Sequence, residues 1–359
     1  MTYILRQDAI LRAARRGGAV RVAELAAELG VSQMTIRRDI NQLADQGELA
    51  RVHGGATLPR KQATRDRPGR HPAEELSVGL VVPQASLYYR QVIEGAQRAA
   101  TALGVRLTLG VSCYDLVEDQ VQAEHLLDGR LDGLLLAPSA PLGEAGPAAG
   151  WIAQLPVPAV IVERRRDLRA GLAGLDNLDH VATDHELGAV LAARHLASTG
   201  HRRIALLSSD TPTAGWIVRG LDAACSVLDL DASAPRILDL IAGDTARIDT
   251  VLDELVASGT RAVLAHPDEQ ASLLLQRGRD RGMVVPRDLA VVSYDDDLAS
   301  LAHIPLTAVA PPRHAVGRTA LSLLVRRLRE GHAHVPQQTL LTPRLHVRAS
   351  TEAQPGGRP

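Results

Sequence analysis

A chain of 359 residues is longer than one typical domain and can bury at least one large core, so two or three units are expected. Its two cysteines, Cys113 and Cys225, form neither a Cys-x-x-Cys pair nor part of a Cys/His cluster, which argues against a disulfide scaffold and a zinc centre. The formal charge is -1, yet residues 1–72 carry thirteen Arg or Lys against seven Asp or Glu, so a basic head precedes an acidic body. That asymmetry suits an N-terminus that meets nucleic acid, because cationic side chains release counterions from phosphates. Lys61 is the single lysine, so a simple bias toward Arg is the competing account of the charge. No apolar run approaches the ~20 residues of a membrane span, and Arg6, Asp8 and Arg12 interrupt any signal-peptide core. A cytoplasmic protein with no membrane partner is expected.

In chain order, Ile4, Leu5, Ile10, Leu11 and Ala14 carry the spacing of a first amphipathic helix that ends at Gly17-Gly18. A second helix covers 22–29, Gly30 supplies a tight turn, and Ser32 is placed to cap the helix that follows. In that helix Ile36, Ile40 and Leu43 form one buried stripe, which leaves Gln33, Thr35, Arg37, Arg38 and Asn41 to face a partner. The order helix, turn, capped helix reads as a helix-turn-helix. Past Gly47, residues 48–56 read as short strands around Gly54-Gly55, the pattern of a wing.

This segment, from about Gln7 to Leu58, resembles the DeoR-type winged helix-turn-helix through Val31-Ser32, Thr35-Ile36-Arg37-Arg38-Asp39 and Arg51-Val52-His53-Gly54-Gly55-Ala56. The resemblance implies that Ser32, Gln33, Thr35, Arg37 and Arg38 lie at the major groove, and that Arg51 and His53 touch the backbone or minor groove. Arg suits either task, since its planar fork can grip guanine O6 and N7 or clamp a phosphate.

Residues 59–76 are rich in Arg, Pro and Gly and read as a basic linker. Beyond it, short apolar strands alternate with helices: strands at 77–83, 105–109, 133–138, 159–163, 203–207, 262–265 and 289–294, and helices at 92–103, 117–127, 186–199, 221–228, 245–258 and 269–281. Such alternation implies parallel sheets covered by helices, with a ligand at the carboxyl ends of the strands. The fold class is therefore multidomain: a small α+β head and an α/β body.

The body resembles the LacI/GalR-type sensor, akin to periplasmic sugar-binding proteins. The landmarks are Leu80-Val81-Val82-Pro83, 130–138, 200–207, 281–296 and Pro305-Leu306-Thr307-Ala308-Val309. The resemblance implies two subdomains, about 77–182 with 308–335 and about 183–307 with 336–350, joined by three crossovers and followed by a disordered tail at 351–359. The chain would cross near 182–184, after Thr307 and near Val335-Pro336, and the pair would close on a small effector. Ligand contacts are expected from Ser86, Tyr88 and Tyr89, whose rings could face a pyranose or pack in the core. Asp268 stands where such sensors hold a carboxylate for sugar hydroxyls. Arg164 either binds ligand or belongs to a solvated charged loop, and Trp216 either stacks on ligand or is core.

The pattern is broken at Ile217, Pro267 and Ala310-Pro311, which points to an unusual effector, a sugar or another small molecule such as a nucleoside. His185, His195 and His201 lack metal-pair spacing and read as surface or core residues, while Asp295-Asp296-Asp297 reads as a turn after a strand. With no Gly-x-Ser-x-Gly elbow, no Cys-His pairing and no phosphate-cradling glycine loop, neither a catalytic residue nor a cofactor nor a metal is expected. The two resemblances imply a ligand-responsive regulator that binds operator DNA as a homodimer, a repressor of carbohydrate uptake or catabolism genes with a sugar-like effector, with a regulator of a non-sugar small molecule, a solute-binding protein and a sugar-processing enzyme as the alternatives.

Overall fold

The computed structural model describes residues 10, 13, 19–45, 49–52, 55–57, 76–85, 88–140, 147–165, 175 and 177–352, in two compact units, 1–71 and 72–359. Leu58, residues 59–75 of the expected linker and the tail 353–359 lie outside the described residues, as do Ser86, His53 and most of the first expected helix; within that helix Ile10 and Ala13 are helical. The expected tail begins too early. Thr351 is buried, with its hydroxyl 2.7 Å from His195 Nε2 and 2.6 Å from Thr307 Oγ1, so the body runs at least to 352.

In the first unit, β1 (Ala19–Arg21) leads into α1 (Val22–Glu28) and α2 (Gln33–Asp45), followed by β2 (Ala50–Val52) and β3 (Gly55–Thr57). Ile36, Ile40 and Leu43 are buried with Ile10, Leu25 and Ala56, so the stripe read from the sequence is the core face of α2. The wing has a third strand that the sequence did not reveal: β1 pairs with β3 on the side opposite β2. Gly55 is required there, because a Cβ on it would lie 1.9 Å from the Val20 carbonyl oxygen.

The second unit contains two six-stranded sheets. The first is built by β4 (Ser77–Val82), α3 (Tyr88–Leu103), β5 (Arg106–Val111), α4 (Leu116–Leu127), β6 (Gly133–Leu136), α5 (Pro147–Ala153), β7 (Ala159–Val162) and β8 (Asp179–Thr183). The second follows with α6 (His185–Ser198), β9 (Ala205–Ser208), α7 (Ala214–Leu228), β10 (Arg236–Ile237), α8 (Thr245–Ala257), β11 (Ala262–His266), α9 (Asp268–Asp280), β12 (Ala290–Tyr294) and β13 (Thr307–Ala310). The chain then returns through α10 (Arg313–Glu330) and β14 (Gln338–Leu341) to the first sheet and ends with β15 (Arg344–His346) in the second. The strand orders are β14-β8-β7-β6-β4-β5 and β10-β9-β11-β12-β13-β15. Every pairing is parallel except β13 with β15. Most strands are buried along their whole length, as expected of sheets covered by helices on both faces.

The first crossing between subdomains lies at Asp184, but the other two fall later than the sequence suggested. Thr307 to Val309 continue the ladder with Val292 to Tyr294, which assigns 307–310 to the second subdomain; Gln338 to Leu341 pair with His180 to Thr183, which assigns them to the first. Hydrogen-bond partners decide membership here, and an apolar run does not name its partner. Helix α10, which carries the first subdomain's largest helical contribution to the core, packs on α3 through facing glycines. A Cβ on Gly317 would lie 1.9 Å from the Val92 oxygen, and one on Gly95 2.2 Å from the His314 oxygen.

Gly317→Ala is expected to force these helices apart and to cost about 1–3 kcal/mol. A urea midpoint equal to that of the parent chain would show that the close approach is dispensable.

Candidate functional site

The outer face of α2 is organised by its cap. Ser32 Oγ accepts from the Thr35 amide at 3.1 Å and stands 2.9 Å from Thr35 Oγ1, so these two side chains hold the helix start. Gln33, Met34, Arg37 and Arg38 are exposed beyond them, Met34 by 75%. Arg51 lies in β2, while His53 lies outside the described residues.

In the body, the carboxyl ends of both sheets meet around a cavity of about 160 Å³. From the first subdomain Tyr88, Tyr89, Glu163 and Arg164 line it; from the second come His185, His266, Asp268 and Asp295. Of the expected ligand residues, the structure gathers Tyr88, Tyr89, Arg164 and Asp268 at this cavity. It holds each of them by protein contacts that the sequence did not disclose.

Helix α3 starts at Tyr88, four residues earlier than its spacing suggested, so the tyrosine pair forms a first helical turn and not a loop. The Tyr88 hydroxyl donates to Glu163 Oε1 at 2.8 Å, and its ring lies edge-on to Tyr89 at 5.4 Å, with the Arg313 guanidinium 5.0 Å from the Tyr88 ring centre. Tyr89 is buried and accepts from Arg164 Nη1 at 2.9 Å. Arg164 is therefore a buried post and no part of a solvated loop: its Nε also donates to the Pro138 oxygen at 2.7 Å and its Nη1 to the Glu163 oxygen at 3.0 Å.

Asp268, expected to reach ligand hydroxyls, is 1% exposed and serves its own subdomain. Its carboxylate accepts from the Ser293 hydroxyl and from the backbone amides of Asp297, Leu298 and Ala299 at 2.7, 2.7 and 3.1 Å. It shapes the turn after β12. Trp216 stands beside the cavity and does not line it; the guanidinium groups of Arg165 and Arg219 each lie 4.6 Å from its ring centre. Both arginines also pair with Glu186, Arg219 Nε at 3.0 Å, so first-subdomain Arg165 and second-subdomain Trp216 form one charged stack.

Sequence reasoning passed over Glu163, His185, His266, Asp295 and Arg313. Glu163 adopts φ +56 in a non-glycine residue and receives the Thr183 amide and hydroxyl, both at 3.0 Å, with His185 Nε2 at 3.7 Å. Burial pushes its pKa up, but the His185 contact, the Thr183 amide and the Tyr88 hydroxyl outweigh that and leave it below the ordinary carboxylate value. His185 and His266 flank Tyr294, with ring centres 5.7 Å away on each side, so His185 is a wall of the cavity, neither exposed nor purely core. Arg313 joins the subdomains through Asp297 at 2.6 Å and the Asp295 carbonyl. The Asp295 run was legible as a turn, and φ values of +101 and +55 at Asp295 and Asp296 are those of one. That Asp295 and Asp297 line a cavity was not legible. Among the described residues no His/Cys/Asp/Glu group has metal-holding geometry.

Two family models match the chain: a DeoR-like helix-turn-helix domain over residues 6–62 and a periplasmic binding protein-like domain over residues 193–351. An arabinose metabolism transcriptional repressor of Geobacillus stearothermophilus is 25% identical over 340 residues, covering 92% of this chain and 90% of its own. The HTH-type transcriptional regulator DegA of Bacillus subtilis (strain 168) is 28% identical over 286 residues, covering 76% of this chain and 80% of its own. The solved complex of the transcriptional regulator CelR with cellobiose has the same fold, with a TM-score of 0.65 at 24% identity over 92% of this chain and 99% of that one.

His266 sets a dependence of stability on pH. Burial, and then the neighbouring His185, push the His266 pKa down from 6.5 to about 3. Between those values the unfolded chain holds a proton that the folded chain does not, so this group makes stability fall as pH falls from about 6.5 toward 3, by roughly 1.4 kcal/mol per pH unit. His266→Gln is expected to flatten that slope in urea unfolding at pH 6.5 and 5. An unchanged slope would assign the acid sensitivity to other groups.

Proposed function

We propose that this chain, with its DeoR-like head and periplasmic binding protein-like body, is a LacI-type transcriptional repressor that binds operator DNA through α2 and the wing and answers to a small polar effector, a sugar or close analogue, held between the two subdomains of its body. The observation that carries this reading is the presence in one chain of a capped helix with Gln33, Arg37 and Arg38 exposed and of a polar cavity at the carboxyl ends of two parallel sheets. The arabinose repressor and the cellobiose-bound regulator support a sugar as the effector class. The protein acts by binding and not by turnover, in the cytoplasm where its operator lies; no described helix is long and apolar enough to cross a membrane.

The effector works through closure. Tyr88, Tyr89, Glu163 and Arg164 move with the first sheet, and His185, His266, Asp268 and Asp295 with the second, so a ligand that touches both sets favours the closed pair over the open one. In a homodimer, closure respaces the two heads and changes their fit to two half-sites. The dimer face belongs to the β5 edge of the first subdomain, where Leu109, Leu116, Val117 and Val121 are all at least 40% exposed and Val117 and Val121 stand one turn apart on α4. Ser32 and Thr35 order the reading helix, while Gln33, Arg37, Arg38, Arg51 and His53 supply the contacts to DNA.

Fluorescence anisotropy on the chain's own upstream DNA, at two salt concentrations and with a panel of mono- and oligosaccharides, tests this reading. Specific binding relieved by one sugar is expected; binding that no sugar alters would remove the effector half of the proposal. Arg38→Ala is expected to lose about 1–3 kcal/mol if it grips a base, or to lower the salt slope by about one if it grips phosphate. An unchanged isotherm would take Arg38 out of the interface. Val117→Asp should yield monomers in analytical ultracentrifugation, and a parent-like dimer would place the interface elsewhere.

A further inference from the structure

Among the described residues of the head, Met34 is the one large apolar side chain left exposed, by 75%, and it belongs to no part of the core that Ile36, Ile40 and Leu43 help to form. A single apolar residue at a surface needs no partner in general. Met34 is set apart by its place. Along α2, Met34, Arg37, Arg38 and Asn41 stand at i, i+3, i+4 and i+7, so they share one face, opposite the stripe that enters the core. All four are exposed. The apolar side chain therefore sits in line with the cations and the amide that face a partner, at the N-terminal end of their row.

That end is the one that reaches bases, because a recognition helix presents its N-terminal residues to base edges in the major groove. Met34 is the second residue of α2, just inside the start that Ser32 and Thr35 hold, and the two guanidinium groups follow one turn later. Attraction to phosphate accounts for the cations and gives no reason for an uncharged thioether among them. Met34 gains from binding only where the partner offers an apolar group that leaves water with it. The edges of base pairs in the major groove carry hydrogen-bond donors and acceptors, and the apolar group among them is the thymine C5 methyl. Methionine suits that target: its unbranched chain with three rotatable bonds adapts to the methyl group it meets.

We propose that Met34 is a sequence-reading residue whose side chain covers the C5 methyl of a thymine in the major groove and so selects an A·T pair at that position of the bound site. The inference rests on the operator-binding reading above and names one contact within it. The neighbouring Gln33 carries the amide that can pair with adenine N6 and N7, so the first turn of α2 as a whole favours A·T pairs. Because Met34 bears no charge, it contributes to the choice of sequence and not to the general attraction to phosphate.

The test replaces single thymines by deoxyuridine in the chain's own upstream DNA, within the stretch that the full chain protects from nuclease cleavage, and follows binding by fluorescence anisotropy. Deoxyuridine keeps O4 and its pairing with adenine and lacks only the methyl group. At least one such replacement is expected to weaken binding of the parent chain about three- to fivefold, the worth of one buried methyl group. Met34→Ala, at an exposed position outside the core, should bind the unmodified DNA more weakly by a similar factor with its salt slope unchanged, and should not respond to that replacement. A parent chain indifferent to every deoxyuridine, or a methyl effect of equal size in Met34→Ala, would overturn the proposal and leave the operator-binding reading intact. A parent chain that fails to bind its unmodified upstream DNA would instead overturn the proposed function, and this inference with it.

Discussion

The Glu163 carboxylate ties together the parts of the body that meet at the first crossing. It sits just past β7, receives the amide and hydroxyl of Thr183 at the last residue of β8, receives the Tyr88 hydroxyl at the start of α3, and faces His185 at the first residue of the second subdomain's opening helix. A buried anion is tolerated only when donors surround it, and here the donors come from three elements that meet at the first crossing. Glu163 itself takes φ +56, a conformation that a non-glycine residue holds only where its surroundings impose it.

The second crossing has a comparable tie. Arg313, buried at the first turn of α10, reaches Asp297 and the Asp295 carbonyl, while Asp268 holds the same turn from the other side through three successive amides. Asp295 is thereby fixed in position by its backbone while its own carboxylate stays without a donor among the described residues. At the cavity's flank, Arg165, Trp216, Arg219 and Glu186 add a charged stack across the subdomains. The contacts of that stack lie partly open to solvent, so each of them is individually weak. The hydrophobic packing remains within each subdomain, on the two faces of its own sheet.

This division separates stability from response. Parallel strands buried on both faces give each subdomain its own core, and in the first subdomain α3 and α10 are brought into close contact through Gly95 and Gly317. The polar groups are concentrated where the two sheets meet, at the carboxyl ends of the strands.

The sequence by itself determined whatever depends on periodicity and local chemistry. The apolar stripe of α2, its Ser32 cap, the alternation that builds two parallel sheets and most helix limits are functions of neighbouring residues, and all are legible along the chain. Tertiary structure alone decided which strand joins which sheet, so the second and third crossings fell later than the residue pattern suggested. It also decided which polar groups are already satisfied. Asp268 and Asp295 are both acids at strand ends, yet one meets four donors and the other none among the described residues. Hydrogen-bond saturation and burial are properties of atoms far apart in sequence, which is why the same residue type reads alike along the chain and behaves differently in the fold.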